Sequence, residues 1–461
     1  MSMKMEYKVN DRPPLGKAIL FAFQQLLAIL AATIAVPAAI NSNPDLAGVL
    51  PGMSQSAALF GAGVGTLVYL LFTKFKSPVF LGSSFAFIGS MVAAFAGAIT
   101  VSVGYLGLIL GAVFAGLVYV ILGLIVKLVG SNWINKLMPP IIIGPTVAII
   151  GLSLAKNAIG DMTKGAVPTA SVWLCLLCGL TTLLVTIICS VHGKKTIKTI
   201  PFIIGIASGY VLASIFTVIG HLSGNDSFLI INFSLFKSLN WLPEFAFIKA
   251  FTAFKEFSSA SQFFSYLGTI LLAYVPVAFV TFAEHIADHK NLSSIIDQDL
   301  LTNPGLDRTL LGDGVGSMAG AFFGGCPNTT YGESVGTVAI SGNASIITIV
   351  IASIMAIVAS FLAPFVTLLE TIPNCVMGGI CVALYGFISV SGLKMIQNVD
   401  LNDNKNLFVV SSILIAGVGG LTLTFAGAIT ITPIACALLL GILVNIIVHL
   451  SFGKKKDDDK K

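Results

Sequence analysis

The sequence predicts an all-α polytopic membrane protein. It would have 14 transmembrane spans in two inverted 7-span repeats, with broken third and tenth spans containing short extended segments. Three observations lead there. Of 461 residues, 56% are hydrophobic and only 10% charged, with a mean hydropathy of +0.97. A soluble domain carries about 25% charged residues, so 25 Lys and Arg with 20 Asp and Glu cannot cover a globule of this size. Apolar runs of about 20 residues, the length that crosses a bilayer, recur along the chain. Two of them, in matching places of the two halves, are interrupted by glycine and polar residues. A soluble enzyme, a nucleic-acid binder and a disordered scaffold are excluded.

The first run, 18–40, is long enough to span and lacks the short apolar core and small-residue cleavage site of a secretory signal. Runs at 56–73, 78–95, 104–126, 138–155, 172–191 and 200–220 complete the first repeat, residues 1–220. Residues 221–262 read as an extracellular loop. The second repeat, 263–452, holds runs at 263–285, 310–325, 328–343, 344–369, 375–393, 406–426 and 430–452. The third run contains Gly82-Ser83-Ser84, and the tenth begins Pro327-Asn328-Thr329-Thr330-Tyr331-Gly332-Glu333-Ser334. Neither makes a good continuous helix. Residues 453–461 form a charged cytoplasmic tail, set aside from the fold.

Basic residues give the orientation. With the N-terminus cytoplasmic, 20 of the 25 Lys and Arg residues fall in inner segments. Only Lys156, Lys164, Lys237, Lys249 and Lys255 fall outside. Because inner loops accumulate Lys and Arg, this asymmetry predicts a multi-pass protein of the cell membrane with both termini cytoplasmic. It also accounts for the pI of 8.7 without an acidic partner.

Seven spans per half is an odd number, so the halves must be inverted. Interrupted helices at matching positions of inverted repeats are the best sequence pointer to a transporter's substrate site. The backbone groups freed at such breaks are tolerated only when buried in protein or lining a cavity. The first span carries Gln24 and Gln25, and its counterpart, the eighth, carries Glu284 and His285.

Acids at membrane depth cost roughly 2.5–3.5 kcal/mol on insertion scales and usually face a pathway or a site. Glu284 closes the run FSYLGTILLAYVPVAFVTFAEH, and Glu333 lies in the broken tenth span. The plainer alternative for each is a structural hydrogen bond to a neighbouring span. Asp288, one turn after Glu284 on the same helix face, either relays protons or sits in cytoplasmic water. His285 is either packed or part of that relay, and Asp313 is read as an anchor of the ninth span. His192, His221 and His449 lie at span ends and read as interfacial. Of the seven cysteines, Cys175 and Cys178 form a CxxC inside an apolar run, where a packing role outweighs a redox or metal role. No HExxH, phosphate-binding glycine loop or paired His/Cys ligand set is present, which argues against a membrane-embedded enzyme. Few polar residues and no repeated charged ring argue against a channel.

With RPPLGKAILFAFQQLLAILAATIAVP, LGSSFAFIGS, FAEHIADHK, PNTTYGESVGTVAISG and VMGGICVALYGFISVSG in view, the chain resembles the nucleobase/ascorbate transporter family (nucleobase:cation symporter-2), on its bacterial uracil permease branch. The family signature in the tenth span is matched by Glu333, Gly336 and Gly342, with Ser334 where Asn is usual and Ser341 where Thr is usual. Asp288 stands where the uracil permeases often carry His.

The resemblance implies a core domain of spans 1–4 and 8–11, a gate domain of spans 5–7 and 12–14, and a homodimer. It places Glu284 and Glu333 on the substrate's polar edge and the backbones of Phe85 and Gly332 on its other groups. Phe85, Tyr331 and Tyr385 would pack around the ring, with Gln24 behind them. Uracil suits such a site, since ionised carboxylates accept from its N–H groups and freed backbone amides donate to its carbonyls. The reading is therefore proton-coupled uptake of uracil by alternating access, with no cofactor beyond the proton. Glu284 would be the coupling group and His285 or Asp288 a relay. The alternative is a xanthine, uric acid or broader nucleobase symporter.

Overall fold

In the computed structural model the described residues are 5–449, apart from 47, 131–138, 195–196, 198–199, 238 and 426–428. The charged tail lies outside them. Among the described residues eight helices are long and apolar enough to cross a membrane, or nine if a bent pair is counted as one. They are α1 (Leu15–Asn41), α2 (Gln55–Phe72), α4 (Val101–Val129), α5 (Pro140–Asp161), α6 (Val172–His192), α7 (Pro201–Ser223), α8 (Ala260–Ile296) and α13 (Asn374–Met395). The bent pair is α11 (Ile346–Ala359) and α12 (Ala363–Glu370), turned by 83°. Shorter helices are α3 (Ile88–Ala96), α9 (Leu306–Gly324), α10 (Gly332–Ser341), α14 (Asn404–Val418) and α15 (Pro433–His449).

The runs at 78–95 and 328–343 are broken as their composition predicts. Strand β1 (Leu81–Ser83) and strand β2 (Asn328–Thr330) pair antiparallel, with Leu81 opposite Thr330, Gly82 opposite Thr329 and Ser83 opposite Asn328. Each strand leads into a short helix: a 3₁₀ turn at Phe85–Phe87 and then α3 after β1, and α10 after β2. Isolated two-stranded pairs are marginal, and this one is held by burial, with all six residues enclosed.

Against the strand pair pack α1, α2, α8 and α9, with α4 and α11 on the outside of those helices; α5 packs on α13, with α6, α7, α14 and α15 beside them. Small residues let backbones approach, the usual device in membranes. A Cβ on Gly61 of α2 would stand 2.4 Å from the Gly320 carbonyl oxygen of α9. Helices α6 and α7 leave most of their apolar surface uncovered, whereas α1 and α5 are largely buried, so the former pair presents the larger face to lipid.

Three departures from the sequence reading matter. Helix α8 runs to Ile296, roughly 55 Å at 1.5 Å per residue, so Asp288 and His289 lie on the helix rather than in a loop. The run at 406–426 is helical only to Val418; Gly420, at φ +74, follows. Beyond it the Thr/Ile-rich stretch forms a hairpin of β3 (Leu423–Phe425) and β4 (Ile429–Ile431). Finally, the N-terminal strap pairs with the segment after α10. Tyr7 bridges Asn343, Ala344 N–H donates to the Tyr7 carbonyl (2.9 Å) and Ile346 N–H to that of Val9 (3.0 Å).

Candidate functional site

The antiparallel strands lead, from opposite ends of their ladder, into two helix N-termini, the 3₁₀ turn beginning at Phe85 and α10 beginning at Gly332. First-turn N–H groups have no partner within their own helix, and the dipole adds partial positive charge there. Such a place suits carbonyl oxygens or anions.

The local fold follows from specific bonds. Ser84 N–H donates to the Pro327 carbonyl (2.9 Å) and extends the strand pairing by one link. Tyr331 hydroxyl donates to the Ser83 carbonyl (2.7 Å), which lays its ring over Gly82. A Cβ there would stand 2.4 Å from two ring carbons. Ser334, fully buried in the first turn of α10, accepts from Phe80 N–H (3.0 Å) and from the side-chain amide of Gln25 on α1. Thr330 hydroxyl donates to Asp288 Oδ2 (2.7 Å), joining β2 to α8.

A cavity of about 350 Å³ opens beside this unit, lined by Glu284, Asp288, Gly332 and Glu333 on one side and by Val147, Phe202, Leu384 and Ile388 on the other. It runs toward Ser190 at the end of α6, Pro201 at the start of α7 and Met395 at the end of α13. A smaller recess of about 40 Å³ continues it inward, bounded by Phe85, Tyr331, Gly332, Glu333, Glu284 and Ile150. Glu284, Glu333 and the start of α10 border both spaces, while Asp288 faces the larger one and the Phe85 turn the recess. The carboxyl groups offer acceptors and the amides donors, which can read a flat ring whose edge alternates N–H and C=O. Among the described residues no group of three His, Cys, Asp or Glu side chains is placed to hold a metal ion.

The sequence-derived residues divide in the structure. Glu284, Glu333, Gly332, Tyr331, Phe85 and Asp288 meet at the cavity and its recess. Tyr385 stands one layer back on α13, its ring edge-on to Phe85 at 5.6 Å. His285 faces away, with Nδ1 2.7 Å from Asp313 Oδ2 and Nε2 3.0 Å from the Thr309 hydroxyl. Asp313, read as an anchor, is thereby a buried partner. Gln24 lines neither cavity; its neighbour Gln25 makes the buried contact with Ser334. Adjacent helix residues point about 100° apart, and sequence alone does not show which one meets a partner. Thr330 contributes as well, through Asp288, and Ser334, which stands where the family usually has Asn, clamps the start of α10. Cys175, Cys178 and Cys375 are buried free thiols.

Known proteins resemble the chain along nearly its whole length. The profile of the Permease family (Xan_ur_permease) matches residues 16–425. The uracil permease of Bacillus caldolyticus is 35% identical over 444 residues, 95% of this chain and 94% of that protein. That of Bacillus subtilis (strain 168) is 35% identical over 467 residues, 99% of this chain and 98% of that protein. The transmembrane domain of a cyanobacterium bicarbonate transporter, BicA, superposes with a TM-score of 0.58 at 17% identity, covering 96% of this chain and 100% of that one. That likeness concerns the fold alone.

Proposed function

The chain belongs to the permease family, whose members are transporters rather than enzymes, and on that premise we propose that it takes up uracil across the cytoplasmic membrane as a proton-coupled symporter. The observation that carries the reading is the convergence of Glu284, Glu333 and the Gly332 helix start on one recess, in a chain 35% identical to uracil permeases along nearly its whole length. Glu284 and Glu333 accept from the ring N–H groups, and backbone amides at Phe85 and Gly332 serve its carbonyls. Phe85 and Tyr331 sandwich the ring, Tyr385 backs Phe85, and the Gln25–Ser334 contact fixes the start of α10. The recess leaves little room beside Ile150 and Ile388 for a second ring, which favours a pyrimidine over a purine dione.

Fourteen membrane segments in two inverted repeats suit the paired breaks at β1 and β2. A core of α1–α4 and α8–α12 moves against a gate of α5–α7 and α13–α15, giving alternating access in a homodimer with cytoplasmic termini. In that orientation the 350 Å³ cavity opens to the cytoplasm. Uracil is neutral, so membrane potential drives it only through a cotransported ion; one proton supplies about 2.3 kcal/mol per 100 mV. Glu284 is the coupling group, with Asp288 one turn closer to the cytoplasmic end of α8. Buried and paired with Asp313, His285 is a poorer relay than Asp288.

Radiolabelled uracil uptake into proteoliposomes tests this. Uptake should rise with an inward proton gradient, collapse with a protonophore and ignore replacement of sodium by choline. Unlabelled uracil should compete, and xanthine, hypoxanthine and ascorbate should not. Inhibition by xanthine alone would overturn the pyrimidine reading.

A further inference from the structure

Beside β2, away from the large cavity, lies a closed chamber of about 10 Å³ between α4, α8 and α9. Its polar lining is Tyr119, Thr281, Asp313, Ser317, Asn328 and Thr329. Asp313 Oδ1 and Asn328 Oδ1, on side chains 1% exposed, have no hydrogen-bond partner among the described residues. Asn328 cannot turn to find one. Its Nδ2 donates to the Gly61 carbonyl (3.0 Å), and a Cβ on Gly320 would stand 2.2 Å from that same nitrogen. A buried acceptor left unpaired costs about 1–3 kcal/mol, and the two residues that carry these acceptors both line this chamber.

The charge of the neighbouring pair narrows what can fill it. Thr309 hydroxyl donates to the Leu306 carbonyl (3.1 Å), so it accepts from His285 Nε2–H. One proton then lies between His285 Nδ1 and Asp313 Oδ2, and the pair is neutral whichever atom holds it. His289, stacked on His285 at 4.0 Å, donates Nδ1–H to the His285 carbonyl (2.8 Å), and its Nε2 lies 2.7 Å from the Tyr69 hydroxyl, which itself donates to Ser77 (2.6 Å). A metal cation in the chamber would add an uncompensated charge deep in the membrane. A neutral molecule with two donors would not, and a chamber of about 10–15 Å³ holds one water.

We infer that a single water molecule occupies this chamber, donating to Asp313 Oδ1 and Asn328 Oδ1 and accepting from the Tyr119 hydroxyl. It ties α9 to β2, and the His285–Asp313 pair ties α9 to α8. Asp313 and Asn328 are therefore positioning residues: they hold the strand whose Thr330 and Tyr331 border the substrate recess. The uracil reading supports only the affinity half of this inference; the water itself is independent of it.

The test is a cryo-EM or crystal structure of the full chain at about 2 Å, in sodium and in potassium buffer, with uracil calorimetry on the same preparations. A peak about 2.7–3.2 Å from both acceptors, equal in the two buffers, is expected. Asp313→Asn keeps a donor for His285 Nδ1 and an acceptor for the water, so peak and affinity should persist within about threefold. Asp313→Leu, similar in size but apolar, should lose the peak and weaken uracil binding at least about tenfold. If that variant does not fold, Tyr119→Phe removes only one donor and should weaken the peak and raise the dissociation constant severalfold. An empty chamber in the wild type, a sodium-dependent peak with shorter ligand distances, or wild-type affinity in Asp313→Leu would overturn the inference. So would loss of the peak in Asp313→Asn. Failure of the wild type to bind uracil would count against the uracil reading and leave the water result standing.

Discussion

Gly82→Ala measures how tightly the strand pair governs the substrate recess. The added methyl would stand 2.4 Å from Cε2 and Cζ of Tyr331 and 2.9 Å from Cε1. Carbon atoms rest at about 3.5–4.0 Å, so the ring must retreat by roughly 1 Å or the strands must part. The ring is buried and anchored by its 2.7 Å bond to the Ser83 carbonyl. Overpacking of this kind costs about 1–3 kcal/mol, and loss of the anchoring bond about 0.5–1.5 kcal/mol. Because the moved atoms border the recess, the account places about 1–3 kcal/mol in binding, a fall in uracil affinity of roughly 5- to 150-fold. The assay is isothermal calorimetry on purified protein, with thermal unfolding as a check of folding. Gly89→Ala is the control, since a Cβ there meets nothing within 4 Å, and it should bind as wild type. Wild-type affinity in Gly82→Ala would refute the claim that Tyr331 over Gly82 shapes the site.

Three further outcomes are expected. Phe85→Ala should weaken uracil binding by about 1–3 kcal/mol without abolishing it, because packing goes while the backbone contact stays; calorimetry reads this. Glu284→Gln should exchange internal for external uracil in proteoliposomes yet fail to accumulate it under a proton gradient, and full pH-driven accumulation would remove Glu284 from the coupling role. Ser334→Ala strips the acceptor from Phe80 N–H and the Gln25 amide. It should lower the unfolding temperature by an amount matching about 1–3 kcal/mol, and an unchanged melting curve would contradict the clamp.

Much of this architecture was legible because the bilayer constrains sequence so strongly. Long apolar runs marked α1, α2, α4–α8 and α13, and polar glycine-containing interruptions marked both strands, whose backbone must be buried in protein. Glu284 and Glu333 stood out because acids within such runs are costly, and Asp288 because it stands one turn beyond Glu284. Partnership was harder to read. Gln24 and Gln25 are equivalent in a sequence, yet only helix rotation decides that Gln25 meets Ser334. His285 follows Glu284, which lines the cavity, but turns toward Asp313, a buried acid whose need for a partner was a usable signal. The β3–β4 hairpin hid in an apolar stretch rich in Thr and Ile, whose alternation favours strands. The pairing of Tyr7 with Asn343 rests on backbone bonds, which side chains barely encode.

We propose that Glu333, at the start of α10, fixes the orientation of a bound pyrimidine, which calorimetric titration of uracil into purified Glu333→Ala would reveal. Saturable binding is expected of the wild type and none detectable of the folded variant, since backbone amides alone cannot hold the ring's N–H edge. Unchanged uracil affinity in Glu333→Ala would contradict it.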